Sequence, residues 1–196
     1  MLGIGEPTYR LLTEDDIPAA RAHLERLDAE DMFHHFHRFM APEDFDDWAE
    51  CAATHDLIGC FGKGLLIGLA EIAYDGADAE IALSVDPDMR QRGIGTDLFA
   101  RACARAAERG ALHAMVLITR GDRPMIDMAV RFDGYTAYRR GESILMPGAP
   151  HSLLRWLVFD LEHLPPRDVF GKAVRQVRIA LGLEQERSTA NLRSRD

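Results

Sequence analysis

A strand that leads directly into a glycine-rich turn constrains this chain more than any other segment. Residues 80–85 are largely apolar and predict a strand, and Gly93 and Gly95 follow just before a helical pattern that starts at Thr96. Glycines let a backbone approach an anion without an intervening Cβ, and a helix N-terminus offers free N–H groups and the positive end of the helix dipole. Residues 79–95 therefore predict a strand, an anion-binding turn and a helix, in that order.

The same residues exclude two other kinds of glycine-rich, phosphate-binding turn. No Gly-Lys-Ser/Thr follows the turn, as a P-loop requires, and no Gly-x-Gly-x-x-Gly opens a dinucleotide-binding unit. An ordinary tight turn between a strand and a helix remains the alternative without a function.

The spacing of Arg90, Gly93 and Gly95 resembles motif A of the GNAT superfamily of acyl-CoA N-acyltransferases, which reads Gln/Arg-x-x-Gly-x-Gly/Ala. The segment also lies in the middle of the chain after a strand hairpin, as it does in that family. The resemblance extends loosely over about residues 8–159. It implies a GNAT-type α/β fold, with a mixed, mostly antiparallel central sheet flanked by helices.

The patterns along the chain fit one acetyltransferase domain over residues 1–164. A C-terminal helix over 165–183 is expected to pack on that domain, and a flexible polar tail over 184–196 follows. Inside the domain we expect a first helix ending near Leu27, a second beginning near Pro42, and a strand–helix–strand crossover. The expected strands cover residues 9–12, 56–61, 64–74, 80–85, 113–119, 136–140 and 153–159.

Composition narrows the class of partner. The formal charge of −9 argues against nucleic acid and favours cationic partners such as amines. No apolar run of about 18 residues predicts a membrane span, and no signal peptide is recognisable, so a cytoplasmic location is expected. Cys51, Cys60 and Cys103 form no Cys-x-x-Cys pair and are expected to be buried thiols.

The resemblance implies acetyl-CoA as cosubstrate and no metal. It places pantetheine and the thioester against the backbone of the motif strand, and the phosphates against the glycine turn. Asp122 stands where the family commonly has Asn at the start of its fourth helix. The residues expected to bind the cosubstrate are Leu83, Ser84, Val85, Arg90, Gln91, Arg92, Gly93, Ile94, Gly95, Thr96, Asp122 and Met125.

Transfer to an amine requires a base, and two glutamates are candidates. Glu80 lies between apolar residues on the motif strand, where desolvation raises a carboxylate's pKa, and related acetyltransferases place their base similarly. If Gly76 and Ala77 form a two-residue turn, Glu71 on the preceding strand shares a sheet face with Glu80. Glu80 is therefore the expected base and Glu71 a second candidate; alternatively, both belong to the polar face of a half-exposed sheet.

The family's usual tyrosine acid is missing, because its position falls near Ala129 or Val130. Tyr135 and Tyr138 are close in sequence and are candidates to replace it, although aromatic residues beside a helix end also suit core packing.

The acceptor side is predicted from residues 29–40, which resemble a segment of bacterial protein-lysine acetyltransferase domains. That segment often includes an Arg-Phe-Phe-like run, and Arg38-Phe39-Met40 preserves its start. His34 and His37 are expected near the acceptor entrance; a metal there would lack an evident third ligand. The acidic run 43–47 suits a helix N-terminus or attraction of a lysine.

The sequence thus predicts an acetyl-CoA-dependent N-acetyltransferase that favours protein lysine over a polyamine, aminoglycoside or other small amine, by direct attack in a ternary complex. An acyl-CoA-binding regulator without turnover, or a partner-binding module built on the C-terminal helix, are the alternatives. A homodimer is left open.

Overall fold

The computed structural model describes residues 5–119, 122–137 and 154–164. Seven strands form one sheet in the order β1-β2-β3-β4-β5-β7-β6, and every neighbouring pair is antiparallel except β4 and β5. The strands are β1 (Thr8–Leu11), β2 (Asp56–Gly62), β3 (Leu65–Asp75), β4 (Asp78–Val85), β5 (His113–Thr119), β6 (Tyr135–Ala137) and β7 (Leu154–Asp160). This confirms the predicted mixed, mostly antiparallel sheet.

Five α-helices flank the sheet in the described residues. They are α1 (Ile17–Leu24), α2 (Ala29–Phe36), α3 (Asp44–Ala52), α4 (Ile94–Glu108) and α5 (Arg123–Arg131). None of them is long and apolar enough to cross a bilayer.

The first helical region differs from the sequence prediction. A 3-10 turn at Glu14–Asp16 precedes α1, which ends at Leu24 rather than near Leu27. Residues 29–36, expected only as a segment before the second helix, form a helix of their own because Asp28 caps it and accepts a hydrogen bond from the backbone of Asp31. The helix expected near Pro42 begins at Asp44 as α3, with acidic residues in its first turn.

The centre of the sheet agrees closely with prediction. The β3–β4 register pairs Ala73 with Glu80 and Glu71 with Ala82, so the two carboxylates share one face. Helix α4 crosses from β4 to β5 and ends before Gly110, whose positive φ of 88° suits glycine. The strand–helix–strand crossover therefore forms as expected.

The two faces of the sheet have different interiors. One face packs against α4 and α5 in an apolar cluster that includes Ile81, Leu98, Phe99 and Phe159. The other packs against α1–α3 through a second cluster around Leu24, Trp48 and Leu69. Cys60 and Cys103 are buried as expected, but Cys51 is exposed.

The predicted C-terminal helix, the tail, Tyr138 and the end of the strand predicted over 136–140 lie outside the described residues. The predicted strand over 153–159 is confirmed as β7.

Candidate active site

A cleft opens where the two parallel strands separate. β4 and β5 pair only from Asp78–His113 to Glu80–Met115, and the remainder of each strand diverges from the other. The resulting cavity has a volume of about 770 Å³, which is within the range of small-molecule sites. It is lined by β4, the start of α4, the start of α5 and the end of α2.

The glycine turn forms one end of this cleft. Gly93 is the N-cap of α4 and has a φ of 84°, in the left-handed region that favours glycine. Gly93, Ile94, Gly95 and Thr96 all line the cleft, so the first amides of α4 lie at its wall. Arg131 adds a guanidinium there, with Nη1 3.4 Å from Thr96 Oγ1. This end of the cleft suits an anion.

Two arginines of the turn behave differently. Arg90 lines the cleft, donates from Nε to the carbonyl of Val85 at 3.2 Å, and forms an ion pair with Asp31 of α2. Arg92 is exposed, donates to the carbonyl of Asp88, and does not line the cleft. Arg92 is the exception among the residues predicted to bind the cosubstrate, because all the others lie in the cleft wall.

Glu80 occupies the point where the strands separate. It is the last β4 residue paired with β5, its side chain is only 3% exposed, and it lines the cleft. A carboxylate is thus buried beside a cavity that a substrate can enter.

Glu71 has a different environment from Glu80, although both lie on the same face. Its oxygens accept hydrogen bonds from Trp48 Nε1 at 3.0 Å and from His55 Nδ1 at 2.8 Å, and His35 Nε2 lies 3.6 Å away. Burial raises the pKa of Glu71, but the neighbouring His35 and the hydrogen bonds from His55 and Trp48 outweigh it and lower the pKa to about 2. Glu71 does not line the cleft. These contacts suit a structural role for Glu71, and its role as a second base stays a prediction.

Asp122 lines the cleft as predicted and caps α5. Its Oδ1 accepts a hydrogen bond from the backbone N–H of Met125 at 3.2 Å. Burial raises the pKa of Asp122, against the opposing effects of that hydrogen bond and of the nearby His34.

Three histidines of residues 34–37 line the cleft. His34 lies at its wall as expected, and the adjacent His35 is buried. His37 ends α2 in the left-handed region, and its Nε2 donates to the carbonyl of Leu117 at 2.7 Å. Burial lowers the pKa of His37 to about 4. The one described cluster with the donors of a metal site, Asp160, Glu162 and His163, does not line the cleft.

No tyrosine lines the cleft in the described part of the chain. Ala129 and Val130, near the position of the family's tyrosine acid, are buried. Tyr135 lies in β6, is 51% exposed and is not part of the cleft wall. Tyr135, a candidate to replace that tyrosine, therefore does not lie at the cleft wall.

Several contacts at the cleft were not predicted from the sequence. Ser84 Oγ lies 2.9 Å from His23 Nε2, and His23 Nδ1 lies 2.8 Å from Asp86. The Arg90–Asp31 ion pair likewise joins residues 59 positions apart. Each depends on α1 or α2 packing over β4, which periodicity within one segment does not reveal.

Comparison with known proteins agrees with this geometry. The sequence model of the acetyltransferase (GNAT) family matches residues 21–135, more than half of the 196 residues. The chain belongs to the GNAT family. No curated protein sequence matches it.

Solved GNAT structures share its fold. The GNAT domain of S. lividans PAT superposes with a TM-score of 0.65 at 18% identity, covering 80% of this chain and 91% of that one. YncA of Salmonella typhimurium, solved with its cofactor acetyl-CoA, gives 0.60 at 16% identity and covers 83% and 98%. The ribosomal-protein-S18-alanine N-acetyltransferase of Escherichia coli gives 0.59 at 15% identity and covers 80% and 94%.

Proposed function

We propose that this GNAT protein transfers the acetyl group of acetyl-CoA to a primary amine. The observation that carries the proposal is the cleft between β4 and β5, with helix amides and Arg90 at one end and the buried Glu80 in its wall. The similar YncA structure contains acetyl-CoA, which supports the same cosubstrate here. Eleven of the twelve residues that the sequence assigned to cosubstrate binding line this cleft.

Glu80 is the proposed general base. An ammonium group must lose a proton before it can attack a thioester, and a carboxylate at 3% exposure is shielded from water that would compete for that proton. The neutral amine then attacks the carbonyl carbon in a ternary complex. The C–S bond breaks, CoA leaves as a thiolate, and the new amide nitrogen loses its extra proton to the solvent. Holding both reactants in one cleft supplies proximity.

The departing thiolate requires a proton donor other than the missing tyrosine. Asp122 is the proposed donor, because burial raises its pKa and it lines the same cleft. A carboxyl with a raised pKa is a better proton carrier near neutral pH than an ordinary aspartate.

Protein lysine is the favoured acceptor, and a small amine is the second candidate. The net charge of −9 attracts either kind of cation. The Escherichia coli relative is named for a ribosomal protein acceptor, which supports a protein substrate. Phe39, 78% exposed and packed on Phe33 of α2, offers apolar contact to a peptide next to the histidines of the cleft. The cytoplasmic location stays a prediction from sequence.

The test is the rate of CoA release from acetyl-CoA with lysine-containing peptides and with spermidine. Replacing the base by Glu80→Gln should lower kcat by about 10²- to 10⁴-fold while acetyl-CoA binding is retained. Glu50→Gln is the matched control, because Glu50 is an exposed glutamate of α3. Equal rates for Glu80→Gln and the parent would overturn Glu80 as base. Acetyl-CoA binding without any amine-dependent rate would instead favour the regulator.

A further inference from the structure

A serine, a histidine and a carboxylate form a continuous chain beside the cleft. Ser84 Oγ lies 2.9 Å from His23 Nε2, and His23 Nδ1 lies 2.8 Å from Asp86 Oδ1. His23 is fully buried in α1, and the Asp86 side chain is 13% exposed. Arg26 Nη2 contacts the second oxygen of Asp86 at 2.9 Å and holds that carboxylate in place.

The partners fix the position of each proton. His23 and Arg26 both lower the pKa of Asp86, against the effect of burial, so Asp86 is ionised and can only accept. His23 Nδ1 therefore carries the hydrogen, and its Nε2 accepts from the hydroxyl of Ser84. Arg26 Nη2 also approaches Nδ1 at 3.4 Å, but two donors cannot bond to each other, so this contact is not a hydrogen bond. Burial lowers the pKa of His23, which keeps the imidazole neutral and able to take a proton.

Ser84 also lies where an acyl group can reach it. It lines the cleft, beyond the last β4 residue that pairs with β5. The N–H of Asp86 bonds to the carbonyl of Ile67 in β3, so alternation along β4 directs the N–H groups of Leu83 and Val85 to the opposite, open edge. These two amides flank Ser84 and are available to stabilise an oxyanion.

We propose that Ser84, His23 and Asp86 form a nucleophilic triad that takes an acyl group from an acyl thioester and passes it to water. The geometry meets the requirements of such a triad: a hydroxyl bonded to a base, and the base oriented by a carboxylate. The choice of acetyl-CoA as its substrate rests on the proposed function. The triad adds a hydrolytic activity that operates when no amine occupies the cleft.

The reaction balances with acetyl-CoA and water alone. Ser84 Oγ attacks the thioester carbonyl carbon while its proton moves to His23 Nε2. The C–S bond breaks, and the thiolate takes that proton to leave as CoA. Water then gives a proton to His23 and attacks the Ser84 ester. The ester bond breaks, Ser84 regains its proton from His23, and acetic acid leaves and loses its proton to the solvent as acetate.

The first test is labelling of the full chain by diisopropyl fluorophosphate, read by intact mass and peptide mapping. This probe reacts with activated serines and needs no CoA site. We expect one adduct on Ser84, formed at least about 10-fold more slowly in His23→Asn, since a positioned base contributes about 10²- to 10⁴-fold. His113→Asn is the matched control, because His113 also contacts an aspartate, Asp78 at 2.9 Å, and does not line the cleft.

The second test covers the case in which the buried His23→Asn variant does not fold. The parent and Ser84→Ala are incubated with acetyl-CoA without amine and quenched in acid. We expect an acetyl group on the Ser84 peptide of the parent, and amine-independent CoA release at least about 10-fold slower in Ser84→Ala.

The outcomes separate the triad from the proposed function. Binding of acetyl-CoA without fluorophosphate labelling of Ser84, or equal labelling in folded His23→Asn, would overturn the triad and leave a structural link between α1 and β4. Labelling of Ser84 without acetyl-CoA binding would support the triad and contradict the proposed cosubstrate.

Discussion

The two faces of the central sheet differ in the polar side chains that they bury. Toward α4 and α5, the interior is an apolar cluster around Phe99, Leu98 and Phe159. Toward α1–α3, the sheet buries histidines and carboxylates among apolar residues. Buried polar side chains on this face belong to α1, to α2 and its C-cap, and to the strand positions opposite these helices. They are His23, His35, His37, Glu71, Glu80 and Ser84.

The apolar face supports the sheet, whereas the polar face contributes titratable side chains to the cleft wall. On the apolar face, α4 packs through Leu98 and Phe99, and its first residues form part of the cleft wall. The polar face buries groups that can accept or donate protons. An unpaired buried polar group is costly, and His35 is such a group, because neither of its ring nitrogens has a hydrogen-bond partner among the described residues.

Glu71 bonds to Trp48 and His55 and does not line the cleft. Glu80 and Ser84, by contrast, line it. The same residue types are therefore enclosed by protein in one place and border the cleft in the other.

The largest expected effect on stability comes from removing the carboxylate of Glu71, which lies inside the protein away from the cleft. Glu71→Leu leaves His55 and Trp48 without their acceptor. Breaking a buried pair in this way costs about 3–5 kcal/mol in the free energy of unfolding, which urea denaturation at pH 7 measures.

Asp78→Asn is the control for Glu71→Leu, because the Asp78–His113 pair is partly exposed and should cost no more than about 1 kcal/mol. Equal losses in the two variants would contradict the distinction between internal and surface carboxylates.

The next-largest effect is a pH dependence of the free energy of unfolding that originates at His37. Burial lowers the pKa of His37 from 6.5 to about 4, so the unfolded chain binds this proton at a higher pH than the folded one. The contribution of neutral His37 to the free energy of unfolding is complete above pH 6.5 and is lost as the pH falls to about 4. The total loss is about 3 kcal/mol. Urea denaturation at several pH values measures the loss.

His37→Asn should flatten this pH dependence, because asparagine tolerates the left-handed backbone and does not titrate. Losing the bond to Leu117 lowers its stability at pH 7 by about 1 kcal/mol. If the slope of the free energy of unfolding against pH were unchanged in this variant, the pH dependence would belong to groups other than His37.

The smallest expected change in stability is the difference between substitutions at Gly93 and at Gly95, the two glycines of the turn. Gly93→Ala places a Cβ at a φ of 84°, which costs about 1–2 kcal/mol. Gly95→Ala meets only Val85 Cγ2 at 3.8 Å and should be neutral or stabilise α4 by up to about 1 kcal/mol. Thermal unfolding of both variants decides the comparison; equal destabilisation would contradict the assigned backbone conformations.

The face toward α4 and the centre of the sheet were largely predictable from sequence. The apolar period of α4 and the turn at Gly76 each depend on neighbouring residues, and together they fixed the crossover and the Glu71–Ala82 register. Local patterns also placed Glu80 and the glycine turn in one site.

The polar face was not predictable in the same way. Whether Glu71 is a base or a structural residue depends on His55 and Trp48, and the role of Ser84 depends on His23, 61 positions away. Such contacts follow from the packing of α1–α3. The helix over residues 29–36 was also missed, although its Asp28 cap is a local signal that the sequence contains.

The most direct test of the central claim is a calorimetric titration of acetyl-CoA into the full chain, with adenosine as the control ligand. We predict saturable binding of one acetyl-CoA per chain, weakened in Gly93→Val, which would disturb the turn at the start of α4. No binding heat at about 1 mM acetyl-CoA, a concentration that detects affinities as weak as about −4 kcal/mol, together with no rise in melting temperature, would contradict the claim that this cleft holds an acyl-CoA.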